Sequence, residues 1–190
     1  MKRSVCILYG FGEGEAIGRK FVSRLKENGF EITNDAAQAD SIIAHSGGIL
    51  DIPKKYKAKT FLLVGVNDKI DGPIIRTQIK KVKQDFIYAI RSKQHLLWLQ
   101  KSFWNTYYIL SEIKRTRQLL QIGRNGGPFI PHLKNAEVIV INYKDDPWSD
   151  SLTKKDLEKF PHYKLITHNG LHDDLWQNPD YYISFLTSVV

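Results

Sequence analysis

Short continuous apolar runs alternate with a helical period over the first third of the chain, and that alternation predicts a parallel sheet covered by helices. Ser4 to Leu8 is such a run, ending at Gly10, as expected of a strand buried on both faces. The loop Gly10-Phe11-Gly12-Glu13-Gly14 follows. From Glu15 to Asn28 the apolar residues Ile17, Phe21, Val22 and Leu25 recur at helical spacing, and Gly29 is the expected C-cap. Phe30 to Thr33 predicts a short strand, Asp40 to Ala44 a second, and Lys59 to Val66 a third.

The pattern then changes. From Pro73 to about Ile122 the spacing predicts a long, mostly helical stretch, closed by Gly123-Arg124-Asn125-Gly126-Gly127-Pro128. The alternation resumes with a strand at Glu137–Asn142, a capped helix near Thr153–Asp156, a last strand at Tyr163–Thr167 and a terminal helix from about Pro179. No repeat, low-complexity segment or sharp composition break divides the chain. Residues 1–190 therefore read as a single α/β domain with a helical, basic insertion at about 73–125.

Composition narrows the class. A chain of 190 residues can bury one full sheet-and-helix core, and 42% hydrophobic with 25% charged residues is ordinary for a soluble globular protein. No apolar run approaches the roughly 18 residues that span a bilayer. The amino terminus places Lys2 and Arg3 before an apolar run too short for a signal peptide, so it reads as the first core strand. Cys6 is the single cysteine, which rules out an internal disulfide and fits a reducing cytoplasm. Its mid-strand position makes it a packing residue rather than a nucleophile.

The net charge of +8 is uneven: residues 51–125 hold 16 Lys and Arg against 5 Asp and Glu. Such an excess favours anionic partners, whether acidic lipid headgroups, acidic substrates or nucleic acid. Trp98 and Trp104 beside lysines suit an anionic membrane surface better than nucleic acid, which is disfavoured as a partner. The simpler expectation is a solvated basic surface, with the apolar stripe of these helices packed as a cap over a pocket. Oligomeric state leaves no signal in the sequence.

The stretch Ser41-Ile42-Ile43-Ala44-His45-Ser46-Gly47-Gly48 concentrates the candidate chemistry. A β-branched run enters a serine with a very small residue on each side at two positions' distance, Ala44 and Gly48. Such a strand-to-helix turn is so tight that larger side chains there would collide with backbone, and it holds the serine strained with its hydroxyl aimed away from the sheet. Late in the chain, His172 stands on the Gly170-containing loop between the final strand and the final helix. From there it can reach back across the top of the sheet to Ser46 as a general base. His168 is the alternative, nearer the strand end, and His45 is expected to shape the pocket. Histidines and carboxylates lack metal-ligand spacing, and no cofactor is expected. One rival uses Gly10-x-Gly12-x-Gly14 as a phosphate cradle, but dinucleotide-binding loops put two residues, not one, between the second and third glycines.

The ordered set of Ser46, the Asp145-Asp146-Pro147 step after a late core strand, and His172 resembles the α/β-hydrolase superfamily. The short length, the Asp-Asp-Pro step and the Gly-Leu-His loop look most like the compact serine hydrolases related to the retinoblastoma-binding serine hydrolase. The resemblance implies an α/β-hydrolase-like three-layer sandwich with a mostly parallel sheet, the helical insertion sitting where these proteins carry a cap. It implies a triad with Ser46 as nucleophile, His172 as base and Asp146 as the carboxylate that orients the histidine, with Asp145 as fallback. It also implies an oxyanion hole formed by the backbone N–H groups of Gly47 and Phe11. The chain departs from the family pattern in having Ala44 for the first elbow glycine and Tyr9 where many relatives have histidine. Its Phe30–Ser41 passage is shortened, and its basic helical segment has no counterpart. The expected activity is hydrolysis of an ester, thioester or amide of a small-molecule acyl substrate. A non-catalytic binding protein on the same scaffold, working through residues 73–125, is the alternative.

Overall fold

The structure is a computed structural model that describes residues 3–10, 13–65, 74–92, 95–111, 133, 135–144 and 163–188. In chain order the elements are β1 (Arg3–Leu8), α1 (Glu15–Glu27), β2 (Phe30–Ile32), β3 (Ser41–His45), a 3₁₀ helix (Ser46–Asp51) and β4 (Thr60–Val64). They continue with α2 (Ile74–Ser92), α3 (His95–Ser111), β5 (Glu137–Tyr143), β6 (Tyr163–His168), α4 (Asp174–Gln177) and α5 (Pro179–Thr187). The capped helix expected near Thr153 and the Gly-rich closure at 123–128 lie outside the described residues.

The six strands form one sheet in the order β2-β1-β3-β4-β5-β6, and every pairing is parallel. Continuous apolar strands fit this arrangement because both faces are covered. Val5, Ile7, Ile43, Leu62, Val64, Ile139 and Ile141 pack to one side with Phe21 and Leu25 of α1 and Tyr182 and Leu186 of α5. Cys6, Ile42, Ala44, Phe61, Leu63, Val138 and Val140 pack to the other side with Ile49, Ile52 and Leu133. Burial pushes the Cys6 thiol pKa up, helped by the charge of Asp35, which suits a packing role.

Strand order fixes where chemistry can sit. The chain steps from β1 out to β2, returns in residues 33–40 without a helix, and enters β3 on the other side of β1. The order thus reverses between β1 and β3, and the crevice beyond their carboxyl ends is the favoured ligand position in an open parallel sheet. Gly10 follows β1 there, and Ser46 follows β3.

The shortened return is held by local bonds: Asp40 Oδ2 accepts from the Ser4 amide at 2.9 Å and from the Ser4 hydroxyl at 2.8 Å. Those bonds hold the Asp40 carboxyl below its ordinary pKa. Gly29 has φ +83, so the turn leaving α1 uses the left-handed conformation that glycine tolerates.

The expected single helical stretch is two helices, α2 and α3, packed as a hairpin. They also reverse the expectation of an apolar stripe facing inward beneath solvated lysines. Lys81, Asp85, Lys101 and Ser102 are buried along with Ala89 and Trp98, whereas Phe86, Ile90, Leu96, Leu99, Phe103 and Trp104 are exposed. Lys81 and Lys101 turn inward because buried carboxylates await them at the end of the sheet.

Candidate active site at the carboxyl end of the sheet

Ser46 begins where β3 ends, and its φ of 50° is the one positive value on a non-glycine residue among the described residues. A left-handed conformation costs an ordinary L-residue roughly 1–2 kcal/mol, so surrounding contacts must impose it. They are visible in the glycines. A Cβ on Gly48 would stand 2.2 Å from the Leu8 carbonyl oxygen, and one on Gly10 would stand 3.1 Å from Ser46 Cβ. The backbones after β1 and β3 therefore touch, and only a residue without a side chain fits at 48. The element that follows is a short 3₁₀ helix rather than a long α-helix. Ile52 is extended ahead of Pro53, whose ring disfavours a helical residue before it.

His172 lies between β6 and α4 and is almost completely buried. The His45 ring, next to Ser46, has its centroid 5.0 Å from that of His172, which brings the histidine loop against the serine turn. Tyr143 stands edge-on to His172 at 6.3 Å. Gly65, at the end of β4, has φ +59, and a Cβ there would lie 3.2 Å from His172 Nδ1. Gly47 is buried directly after Ser46, where its N–H is a candidate oxyanion donor. Asp145, Asp146 and Phe11 lie outside the described residues.

His168, the alternative base, is committed elsewhere. Its Nε2 pairs with Asp174 Oδ2 at 2.9 Å, and its ring stacks on Tyr181 at 4.3 Å. The Tyr182 hydroxyl sits 2.9 Å from the same carboxylate oxygen, and burial drives its pKa far up, keeping it protonated.

Beneath the cap lies a buried charge network that the sequence does not announce. Asp173, beside the candidate base, pairs with Lys81 of α2 and, at 2.6 Å, with Lys101 of α3. Lys81 also donates to Asp85 at 2.6 Å, and Lys101 reaches Glu13 Oε1 at 3.2 Å. Glu13 in turn faces His45 Nδ1 at 2.8 Å, accepts from the Gly10 amide at 2.8 Å and accepts from Trp176 Nε1 at 3.3 Å. His45 Nε2 lies 2.8 Å from the His172 carbonyl oxygen.

Both ring nitrogens of His45 face oxygen acceptors, so both must donate and the ring is an imidazolium. Burial alone would lower its pKa, but the Glu13 charge and hydrogen bond outweigh it, and the pKa is raised. Burial likewise favours the neutral form of Glu13, yet the charges of His45 and Lys101 hold its pKa down at about 2. Asp173 is held well below the ordinary carboxylate range against its own desolvation by Lys101 and Lys81, and Lys101 is raised by Asp173, Asp85 and Glu13. Asp85 goes the other way, because desolvation outweighs its lysines and raises it. Three acids thus face two lysines and the His45 imidazolium, a cluster shared by the cap, the loop after β1, the serine turn and the histidine loop.

Ligand atoms of His45, His172 and Asp173 lie within 4.8 Å of one another, close enough to hold a metal. The site does not suit a cation: His45 has no free nitrogen, and two lysines already neutralise Asp173. Of the network, sequence reasoning identified only His45 as a pocket residue. Glu13 in the glycine loop, and Lys81 four residues before Asp85, were the available signals.

An all-parallel sheet with its order reversing at β1, a strained serine after β3 and a buried histidine after β6 gives this chain the fold of the α/β-hydrolases. Among solved structures it is similar to the enol-lactonase of Burkholderia xenovorans LB400, with TM-score 0.67 and 10% identity over 99% of this chain and 91% of that one. A carboxylesterase structure from the thaumarchaeon Nitrososphaera gargenis matches with TM-score 0.65 and 14% identity over 99% and 89%. The 2-hydroxy-6-oxo-6-phenylhexa-2,4-dienoate hydrolase of Rhodococcus sp. strain RHA1 matches with TM-score 0.64 and 12% identity over 98% and 90%. No family model and no curated protein matches the sequence. At these identities the likeness shows the fold.

Proposed function

We propose that this protein is a serine hydrolase that cleaves an ester, thioester or amide through an acyl-enzyme. Ser46 attacks the acyl carbon, and its proton passes to His172. The leaving group departs with that proton, and water activated by His172 then releases the acid and restores Ser46. Asp146 orients His172, and the backbone N–H groups of Gly47 and Phe11 hold the oxyanion. The carrying observation is the left-handed Ser46, in a turn packed so tightly that no side chain fits at Gly48, with the buried His172 ring 5.0 Å from that of the adjoining His45. The enol-lactonase and carboxylesterase among the similar structures support the same class of reaction. So does the resemblance of the serine turn and the Gly-Leu-His loop to compact serine hydrolases. The single, buried Cys6 supports a reducing, cytoplasmic setting.

His45 is a positioning residue in this scheme. As an imidazolium it grips the His172 carbonyl while Glu13 holds its other nitrogen, fixing the base relative to Ser46. Labelling by a fluorophosphonate probe tests the proposal. Wild type reacts, and Ser46→Ala and His172→Ala do not. A folded wild type that never reacts overturns it and favours a binding role, for which the exposed apolar face of α2 and α3 is the supporting observation.

A further inference from the structure

The amphipathic sense of α2 and α3 is inverted. Helices on a soluble protein turn their apolar stripe inward, yet here the inward faces carry Lys81, Asp85, Lys101 and Ser102 beside, among the described residues, only Ala89 and Trp98 as fully buried apolar residues. The outward faces carry ten large apolar side chains, among them Phe86 (57% exposed), Phe103 (64%) and Leu96 (71%). Their spacing is regular: Ile79, Val82, Phe86 and Ile90 form one stripe along α2, and Leu96, Leu99, Phe103 and Tyr107 form one along α3. Phe103, Trp104 and Tyr107 make a ladder of edge-on rings, with centroids 5.5 and 5.7 Å apart. Apolar patches on this scale on a soluble protein mark an interaction site.

Charge identifies the partner. Lys80, Lys83 and Arg91 are exposed on α2 among or beside the apolar stripe, whereas Asp85, the one acid in the two helices, is buried. A second copy of this chain would set these cations against their own equivalents. An anionic lipid surface would neutralise them while accepting the aromatic and aliphatic side chains at headgroup depth. We propose that the α2–α3 hairpin docks the protein on an anionic lipid surface. The inward charges make the inversion tenable, because Lys81 and Lys101 anchor the hairpin to Asp173 and Glu13 and free its apolar faces to point outward. The proposal is independent of whether Ser46 reacts.

Co-sedimentation of the full chain with vesicles tests it, using phosphatidylcholine alone or mixed with phosphatidylglycerol. Binding to the mixed vesicles that weakens as salt rises is expected. Reversing Lys80, Lys83 and Arg91 to Glu should lower the partition coefficient by about 100-fold or more, since each lost cation alone is worth about fivefold. Phe86→Ser with Phe103→Ser, both at exposed positions, should abolish binding with the fold intact by circular dichroism. A matched reversal of the exposed Lys26, Lys54 and Lys55 should leave most of the binding in place. Equal loss in that control would mean that net charge, not this face, does the binding, and would overturn the proposal. No binding at low salt overturns it as well. In that case a dimer by light scattering assigns the face to a second copy, and a monomer means the chain itself covers it.

Discussion

Glu13→Gln is the most informative single change, because it keeps the shape of the side chain and removes one charge from the buried network. Glu13 is almost wholly buried, and its pKa lies at about 2 against an ordinary 4.5. At about 1.4 kcal/mol per pH unit, that difference amounts to about 3 kcal/mol of preference for the ionised form in the folded protein. A depressed carboxyl contributes stability that is full above its unfolded pKa and disappears as pH falls through its folded pKa. The contribution of Glu13 is therefore present at neutral pH and lost between about pH 4.5 and pH 2. The variant also leaves His45 and Lys101 short of a counter-charge, a loss that typically costs 3–5 kcal/mol when a buried pair is broken. Urea denaturation of wild type and variant from pH 7 downwards measures both effects. The stability gap should be about 3 kcal/mol or more at pH 7 and should narrow below pH 4.5. Asp173 titrates in both proteins and largely cancels from the difference, whereas His45 does not: its pKa is raised by Glu13, so its contribution adds to the gap on the acid side of its own titration. The imidazolium of His45 should also lose its raised pKa in the variant, shifting the ring resonances in an NMR titration and slowing probe labelling. A gap below 1 kcal/mol that is flat with pH would refute the ion network as described.

Ser46→Gly should be more stable than Ser46→Ala by about 1 kcal/mol in chemical denaturation, since both lose the hydroxyl but only glycine is at ease at φ 50°. Gly48→Ala should cost about 3 kcal/mol or more, or prevent folding, because its Cβ would stand 2.2 Å from backbone oxygen that cannot yield. His168→Gln should lose about 1–2 kcal/mol of stability through its bond to Asp174 while keeping probe labelling within a few-fold of wild type. Total loss of labelling in that variant would make His168, not His172, the base.

The sheet was legible because its strands are continuous apolar runs that periodicity marks directly. The boundaries at β1, β3 and β5 moved by a residue at most. The serine turn was legible because sterics leave a signature in residue size: Gly48 lacks a side chain for a reason the Leu8 carbonyl makes plain. The two helices were legible as helices but not in their orientation. A stripe of Phe86, Ile90, Phe103 and Tyr107 gives the same periodicity whether it faces in or out, and what decides is the long-range meeting of Lys81 and Lys101 with Asp173. That meeting joins residues about 70–90 positions apart in sequence, beyond the reach of any local pattern. Gly65 escaped notice for the same reason, since what limits it is a ring from the far end of the chain.

The cluster of Glu13, His45, Lys81, Asp85, Lys101 and Asp173 also constrains how this chain can vary. Each member comes with a partner on another segment, so changing one strands a charge in a place without water. The resulting loss of 3–5 kcal/mol is a large share of the 5–15 kcal/mol that holds a typical domain together. Single steps through these positions are nearly closed, and drift must move them in compensating pairs. Relatives that replace Lys101 should replace Asp173 or Glu13 with it, even though these residues lie far apart in sequence. The same coupling governs grafting: a foreign helical hairpin will seat on this sheet only if it brings two inward cations, or if the acids beneath are neutralised at the same time.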